Sequence, residues 1–134
     1  MRHAFPVCAL AFATGLAGTC VAADAEVSFK QDLQPLLNAQ CVFCHVDGAE
    51  NGELNLGRRK AYAALVDASS IDAPLPRVAP GDVDKSYLVH KLRGTHLSVG
   101  GSGNSMPMVD PPRLMDPAQI DLFVRWIEQG AQNN

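Results

Sequence analysis

The chain has 134 residues, of which 47% are hydrophobic and 19% are charged. This length supports one small hydrophobic core and is too short for two independent ones. The hydrophobic content excludes a disordered chain. Acidic residues outnumber basic ones by 14 to 11, which argues against a nucleic-acid-binding protein with a basic face. The 9 prolines and 11 glycines predict irregular connections, so we expect a single loop-rich domain.

Residues 1–23 are typical of a secretory signal peptide. Arg2 precedes an apolar stretch that ends in small residues at 21–23, where the signal peptidase requires them. A retained membrane anchor is an alternative, although the apolar stretch is shorter than a bilayer needs. A lipoprotein with its lipid on Cys20 is another. We expect cleavage to leave a slightly more acidic mature domain, 24–134, without a membrane span, exported to the bacterial periplasm or cell surface.

The first predicted helix begins at Ser28, the N-cap of a capping box in which Gln31 reaches back to the cap. Apolar residues such as Leu33 and Leu37 recur at helical spacing and form a face that runs toward two cysteines. Pro35 lies inside this pattern and cannot donate to the helix ladder. It therefore predicts a kink or a split into two short helical pieces.

The segment Cys41-Val42-Phe43-Cys44-His45 has the C-x-x-C-H form of a c-type haem attachment site. Two thiols three positions apart can each add to one vinyl group of a haem, and the adjacent imidazole then lies under the iron. The motif thus predicts Cys41 and Cys44 as thioether anchors and His45 as the proximal metal ligand.

Three other interpretations of the motif are open. A disulfide between Cys41 and Cys44 would close a very short loop and leave His45 unexplained. A thioredoxin-like pair would stand at the start of a helix that follows a strand, whereas here a helix precedes it. A zinc site would need a fourth ligand, such as His90 or His96, and the chain has no second closely spaced pair.

The middle of the chain alternates loops with short helices. The predicted elements are a loop over 47–57, a helix over 58–66, an irregular surface stretch over 67–82, and a helix from Lys85 to about Arg93, capped by Asp84 and closed by Gly94. No segment shows the strict alternation of a strand. We therefore expect an all-α domain without significant sheet.

The last predicted helix has the clearest signals. Asp116 is its N-cap, Pro117 opens it, Gln119 completes a capping box, and Gly130 follows its end. Its apolar stripe consists of Ile120, Phe123, Val124 and Ile127, widened by Leu122 and Trp126.

A haem held by His45 alone would leave one face of the iron open, so we looked for a sixth ligand. The candidates are Met106, Met108, Met115, His90 and His96. Met106 is preferred because it follows the glycine-rich stretch 100–105 and precedes Pro107, which stiffens the approach. A methionine more commonly fills a core. Methionine ligation raises the reduction potential, which suits an electron carrier, and a second histidine would lower it.

Beyond the pentapeptide, the chain resembles the class I cytochrome c family, in particular small bacterial periplasmic domains of the planctomycete type. The resemblance covers nearly all of the mature chain. It is carried by the helix before the motif, Cys41-Val42-Phe43-Cys44-His45, Pro80-Gly81-Asp82 with Ser86-Tyr87-Leu88, Met106-Pro107, and Trp126-Ile127-Glu128-Gln129-Gly130-Ala131. Two departures are the extra Met108 after Met106-Pro107 and a long insertion, 67–80.

The resemblance implies a small helical cytochrome c-like domain, 24–134, around one covalent haem c. It implies His45 and Met106 as the axial iron ligands and single-electron transfer between redox partners, not enzymatic catalysis. The alternative function is a haem protein with an open or weakly held distal site that binds a small ligand or acts on peroxide. Arg77, Lys85 and Arg113 are candidates to pair with the haem propionates.

Overall fold

The computed structural model describes residues 25–46 and 52–134, so the predicted signal peptide lies outside the described residues. The helical elements are a π-helical turn at Phe29–Leu33, α1 at Gln34–Gln40, α2 at Ala61–Leu65, α3 at Tyr87–Arg93, a 3₁₀ turn at His96–Val99 and α4 at Pro117–Glu128. In these two ranges β structure is confined to three isolated bridges. The expected all-α, loop-rich fold is confirmed. None of the helices described is both long and apolar enough to cross a membrane.

The first helix is split where Pro35 predicts it. The π-helical turn runs directly into α1, and Pro35 occupies the opening turn of α1, where proline is tolerated best. The Ser28 hydroxyl accepts from the Gln31 backbone N–H at 3.2 Å, which confirms the cap. The reciprocal partner is different: Asp32, not Gln31, accepts from the Ser28 N–H at 2.7 Å. The wide π-helical turn explains the one-residue shift, since Leu33 also donates to the Ser28 carbonyl.

The end of the chain completes the cap of this helix. The side-chain oxygen of Asn134 accepts a hydrogen bond from the backbone N–H of Phe29 at 2.8 Å. The backbone carbonyl of Asn134 accepts one from the backbone N–H of Lys30 at 3.1 Å. The first N–H groups of a helix have no partner within the helix. The two ends of the described chain are therefore joined through the N-terminus of the first helix.

Helix α4 begins as predicted. Asp116 accepts from the Ala118 N–H at 2.9 Å, and Pro117 is the first helical residue. After the helix, Gly130 adopts a φ of +94° and the Ala131 N–H returns to the Trp126 carbonyl at 2.8 Å. The predicted capping box is wrong, because the Gln119 side chain accepts a hydrogen bond from Gln40 instead.

The core forms where α4 meets the first helix. Trp126 packs against Phe29 with ring centroids 5.2 Å apart, and Tyr62 meets the Phe29 ring edge-on at 5.4 Å. From α4 the buried residues are Ile120, Phe123, Trp126 and Ile127, with Val124 and Leu122 only partly buried at the edge. Phe29, Leu33 and Leu37 fill the opposing face.

Two expectations for the middle of the chain need correction. The predicted helix over 58–66 is shorter, Ala61–Leu65. The stretch 67–82, expected to be surface, is irregular but sends Val78 into the core, where its side chain is fully buried. Val78 pairs with Val66 through a parallel bridge. A long-range contact holds this segment inward, and the proline-rich local pattern carried no sign of it.

Helix α3 begins two residues later than predicted. Its N-cap is the buried Ser86, not Asp84. The first N–H groups of α3, at Tyr87 and Leu88, donate to the carbonyls of Pro76 and Arg77 at 3.0 and 2.9 Å. The 67–80 segment thus supplies the cap that the local sequence was expected to supply. Gly94 ends the helix in the left-handed region, as predicted.

Candidate haem-binding site

The Cys41–His45 segment forms hydrogen-bonded turns directly after α1. The Cys41 N–H donates to the Leu37 carbonyl at 2.9 Å, and the His45 N–H donates to the Cys41 carbonyl at 3.0 Å. The His45 carbonyl in turn accepts from the Leu56 N–H at 2.8 Å. The motif therefore continues the helix, in agreement with the sequence prediction that a helix precedes it.

The two cysteines have different environments. Cys41 is half-buried and Cys44 is exposed, while Phe43 between them is 96% exposed. Burial, reinforced by the neighbouring Cys44, raises the pKa of the Cys41 thiol from 9.0 to about 11. Near neutral pH Cys41 is therefore held as a thiol.

One cavity of about 300 Å³ brings the predicted site residues together. Cys41, Cys44 and His45 line it, and so do Met106 and Met108, although some sixty residues of sequence separate the two groups. The apolar part of the lining consists of Leu37, Leu54, Leu56, Leu65, Leu88, Leu92 and Phe123.

The two methionines at this cavity differ in how they are held. Met106 is partly buried against the core, and its N–H donates to the Lys91 carbonyl at 2.9 Å. Met108 is 64% exposed, and its sulfur accepts a hydrogen bond from Asn104. The packing favours Met106 as the side chain that faces the interior.

The other candidate ligands lie elsewhere. His90 does not line the cavity; its ring contacts the Thr95 hydroxyl and the Asp84 carbonyl, both at 2.9 Å. His96 is buried, and its Nε2 donates to the Gly103 carbonyl. Met115 is buried in the core beside α4. The cavity therefore brings His45 together with the methionines and leaves these three side chains outside.

The cavity has a polar end, formed by α3, the 67–80 segment and the glycine-rich stretch. Lys91, Tyr87, Asp72, Ser102 and Arg77 line it. Burial lowers the pKa of Lys91, and the charge of Asp72 opposes this change. Burial also raises the pKa of Tyr87, and the charge of Asp72 adds to that change. Burial is the largest cause in both cases, so this end is partly shielded from water.

The three candidate partners for the propionates are placed very differently. Arg77 lines the cavity, and its guanidinium donates to the backbone carbonyls of Ala64 and Gly52 at 3.0 and 2.8 Å. Lys85 forms an exposed ion pair with Asp82, and Arg113 is exposed; neither lines the cavity. Lys91 also lines the cavity but was not among the candidates predicted from the sequence. Its spacing of four residues from Tyr87, which places both on one helix face, could have indicated it.

The structure bears on two of the competing interpretations. In ranges 25–46 and 52–134, no three side chains among His, Cys, Asp and Glu are grouped as a metal site. The motif also follows a helix, whereas a thioredoxin-like pair follows a strand and opens a helix.

Searches with protein-family models, against curated proteins and against solved structures found no match to this chain. The assignment of the site therefore rests on its own residues.

These residues fit a haem c. A haem is an apolar macrocycle with two carboxylates, and the cavity combines a leucine-rich wall with a polar end that contains Arg77 and Lys91. Two thiols, an imidazole and a thioether, the groups that attach and ligate a haem of this type, line the same space.

Proposed function

We propose that this chain is an exported mono-haem c-type cytochrome that carries single electrons between redox proteins. The observation that carries the proposal is the shared cavity: Cys41, Cys44 and His45 line it together with Met106.

Each residue has a distinct part in this proposal. Cys41 and Cys44 would hold the haem covalently, and His45 and Met106 would ligate its iron. The bound haem supplies a reversible one-electron change at iron. The apolar lining would lower the local dielectric around it, and methionine ligation would raise its potential. The exposed Cys44 and Phe43 lie where the chain is open to solvent, and thus to a partner.

Export is part of the same proposal. C-type haem attachment needs reduced cysteines and a periplasmic maturation system, and residues 1–23 are typical of the signal peptide that delivers a chain there. The redox partners are a donor and an acceptor protein. The mature chain would be slightly more acidic than the full chain, whose net charge is −3, and this acidity favours partners that present a basic patch.

The experiment is expression of the full chain in bacteria with a haem-maturation system, followed by acid-acetone extraction, which removes haem that is not covalently bound. The parent chain should retain its haem. Cys41→Ala/Cys44→Ala should lose all of it. The matched control is Cys8→Ala/Cys20→Ala, which removes the same number of thiols from the predicted signal peptide and should retain haem in full.

Haem that resists extraction in the Cys41/Cys44 variant would contradict covalent attachment at the motif. A parent chain that carries no haem would contradict the proposed function and return the motif to a disulfide or metal-binding role. Loss of haem only in the control would point to export or lipidation through Cys20.

A further inference from the structure

The stretch before Met106 is poor in intrinsic rigidity. Residues 100–105 consist of three glycines, at 100, 101 and 103, and three small polar residues. Glycine has the largest conformational freedom of any residue. If this stretch were unrestrained, the Met106 side chain would sample many positions, so contacts from the rest of the protein must fix it.

Lys91 of α3 holds this stretch through both its backbone carbonyl and its side chain. Its backbone carbonyl accepts the Met106 N–H at 2.9 Å. Its ammonium donates to the carbonyls of Ser102 and Asn104 at 2.8 and 2.6 Å. One residue thus fixes three points of the segment that leads into Met106. Hydrogen bonds from a charged donor are stronger than those between neutral groups.

The surroundings of Lys91 keep its ammonium in place. The Nζ lies 5.8 Å from the centre of the Tyr87 ring, within the range of a cation–π contact. The Tyr87 hydroxyl accepts from the Ser102 N–H at 3.3 Å. A Cβ on Gly101 would lie 2.5 Å from the Tyr87 hydroxyl oxygen and 2.7 Å from the His96 carbonyl oxygen, both too close for a side chain. The stretch is therefore packed directly on α3, and Gly101 is required by that close approach.

The 67–80 segment supplies the opposite charge. The Asp72 carboxylate accepts from the Ser102 hydroxyl at 3.2 Å and exerts a charge interaction on Lys91. The same segment caps α3 through the carbonyls of Pro76 and Arg77. The insertion thus braces both the helix that carries Lys91 and the stretch that Lys91 holds.

We propose that Lys91 is a positioning residue for Met106: its ammonium fixes the glycine-rich stretch 100–105 on α3 and so sets where the thioether stands in the cavity. The effect of Lys91 on iron ligation by Met106 rests on the proposed function. The restraint itself belongs to the protein and can be measured whether or not haem is present.

The test compares Lys91→Met, which keeps the length of the stem and removes the donors, with Lys91→Arg, which keeps a cationic donor. The control is Lys85→Met, which removes a lysine from the exposed ion pair with Asp82. Hydrogen exchange of the Met106 amide and of 100–105 is followed by mass spectrometry on the purified protein. In Lys91→Met it should accelerate about tenfold or more, since two charged hydrogen bonds are lost. The Lys85 control should match the parent.

The second readout is spectroscopic. In the haem-loaded protein, Lys91→Leu, which brings no new thioether into the cavity, should weaken the long-wavelength thioether-to-iron band and admit carbon monoxide faster than the parent, while Lys91→Arg recovers at least part of the band. Ser102→Ala is a milder second variant that removes only the hydrogen bond to Asp72, and it should act in the same direction with a smaller effect.

Parent-like exchange in Lys91→Met and a full band in Lys91→Leu would overturn the inference, as would an equal change in the Lys85 control. A parent chain that lacks haem would contradict the proposed function alone, and the exchange data would then still decide whether Lys91 restrains the stretch.

Discussion

The two sides of the cavity are built in different ways. Cys41, Cys44 and His45 stand within five residues of one another, on turns that continue α1. Met106 is held by groups that are distant in sequence. Lys91 on α3 accepts its N–H, and Asp72 contacts Ser102 in the stretch that precedes Met106. The first side is a local motif and the second is a product of the tertiary fold.

This difference matches what each side would have to do. A thioether bond to the chain keeps a haem in place by covalent geometry, so local turns are enough to present the cysteines. A methionine that only coordinates has to be kept near the iron by noncovalent contacts. We therefore expect substitutions around Met106 to change ligation while the haem stays attached, and substitutions at the cysteines to remove the haem.

The largest effect should come from Met106→Ala. Loss of the thioether should abolish the long-wavelength band, lower the reduction potential and allow carbon monoxide to bind, while the haem remains covalent. Absorption spectra and redox titration measure all three. Met108→Ala, at an exposed position, is the matched control and should resemble the parent. The reverse pattern would assign the ligand to Met108.

Phe123 of α4 lines the same cavity as both groups of site residues, so Phe123→Ala should weaken the cavity as a whole. Phe123 is fully buried and lines the cavity. Replacing a buried phenylalanine with alanine costs about 3–5 kcal/mol of unfolding free energy. Denaturant unfolding gives the value, with Leu97→Ala, at an exposed site, as a control within about 0.5 kcal/mol of the parent. A loss for Phe123→Ala as small as that of the control would contradict the assignment of α4 to the core.

The two cysteines should differ in reactivity before haem is attached. Because burial raises the pKa of Cys41 from 9.0 to about 11, its thiolate fraction near neutral pH falls about a hundredfold. In chain made without haem maturation, Cys41 should alkylate with iodoacetamide more slowly than Cys44, and its rate should climb with pH up to about 11. Mass spectrometry distinguishes the two sites. In denaturant both should react alike; equal rates in the folded chain would contradict the burial of Cys41.

A smaller effect is expected from Arg77→Leu. The guanidinium donates to the carbonyls of Ala64 and Gly52, and loss of these bonds should cost about 1–3 kcal/mol of unfolding free energy. Covalent haem content should not change, because the cysteines are untouched. Arg113→Leu, at an exposed site, is the control and should be near neutral. A neutral Arg77→Leu would show that these carbonyls do not depend on it.

The same contrast explains how far the sequence could predict the structure. The Asp116 cap, the Pro117 start of α4 and the split at Pro35 depend on neighbouring residues, and all three are confirmed. The motif at Cys41–His45 and the helix before it are equally local. Propensity and capping rules describe such short-range contacts well.

Two of the wrong predictions, the start of α3 and the exposure of the 67–82 stretch, concern long-range partners. Asp84 has the right chemistry for a cap, but α3 begins at Ser86 because carbonyls of the 67–80 segment take its first N–H groups. The burial of Val78 in a proline-rich stretch follows from the same contact. The joint role of Lys91 and Asp72 could not be predicted, since nothing in the local pattern of either residue indicates that they meet at the cavity.

The central claim is that Cys41, Cys44, His45 and Met106 serve one haem. It is tested most directly by the visible and near-infrared absorption spectrum of the mature protein, oxidised and reduced, after expression with a haem-maturation system. The account predicts a c-type reduced spectrum together with a long-wavelength thioether-to-iron band in the oxidised form. A c-type spectrum without that band would contradict methionine ligation, and the absence of haem would contradict the account as a whole.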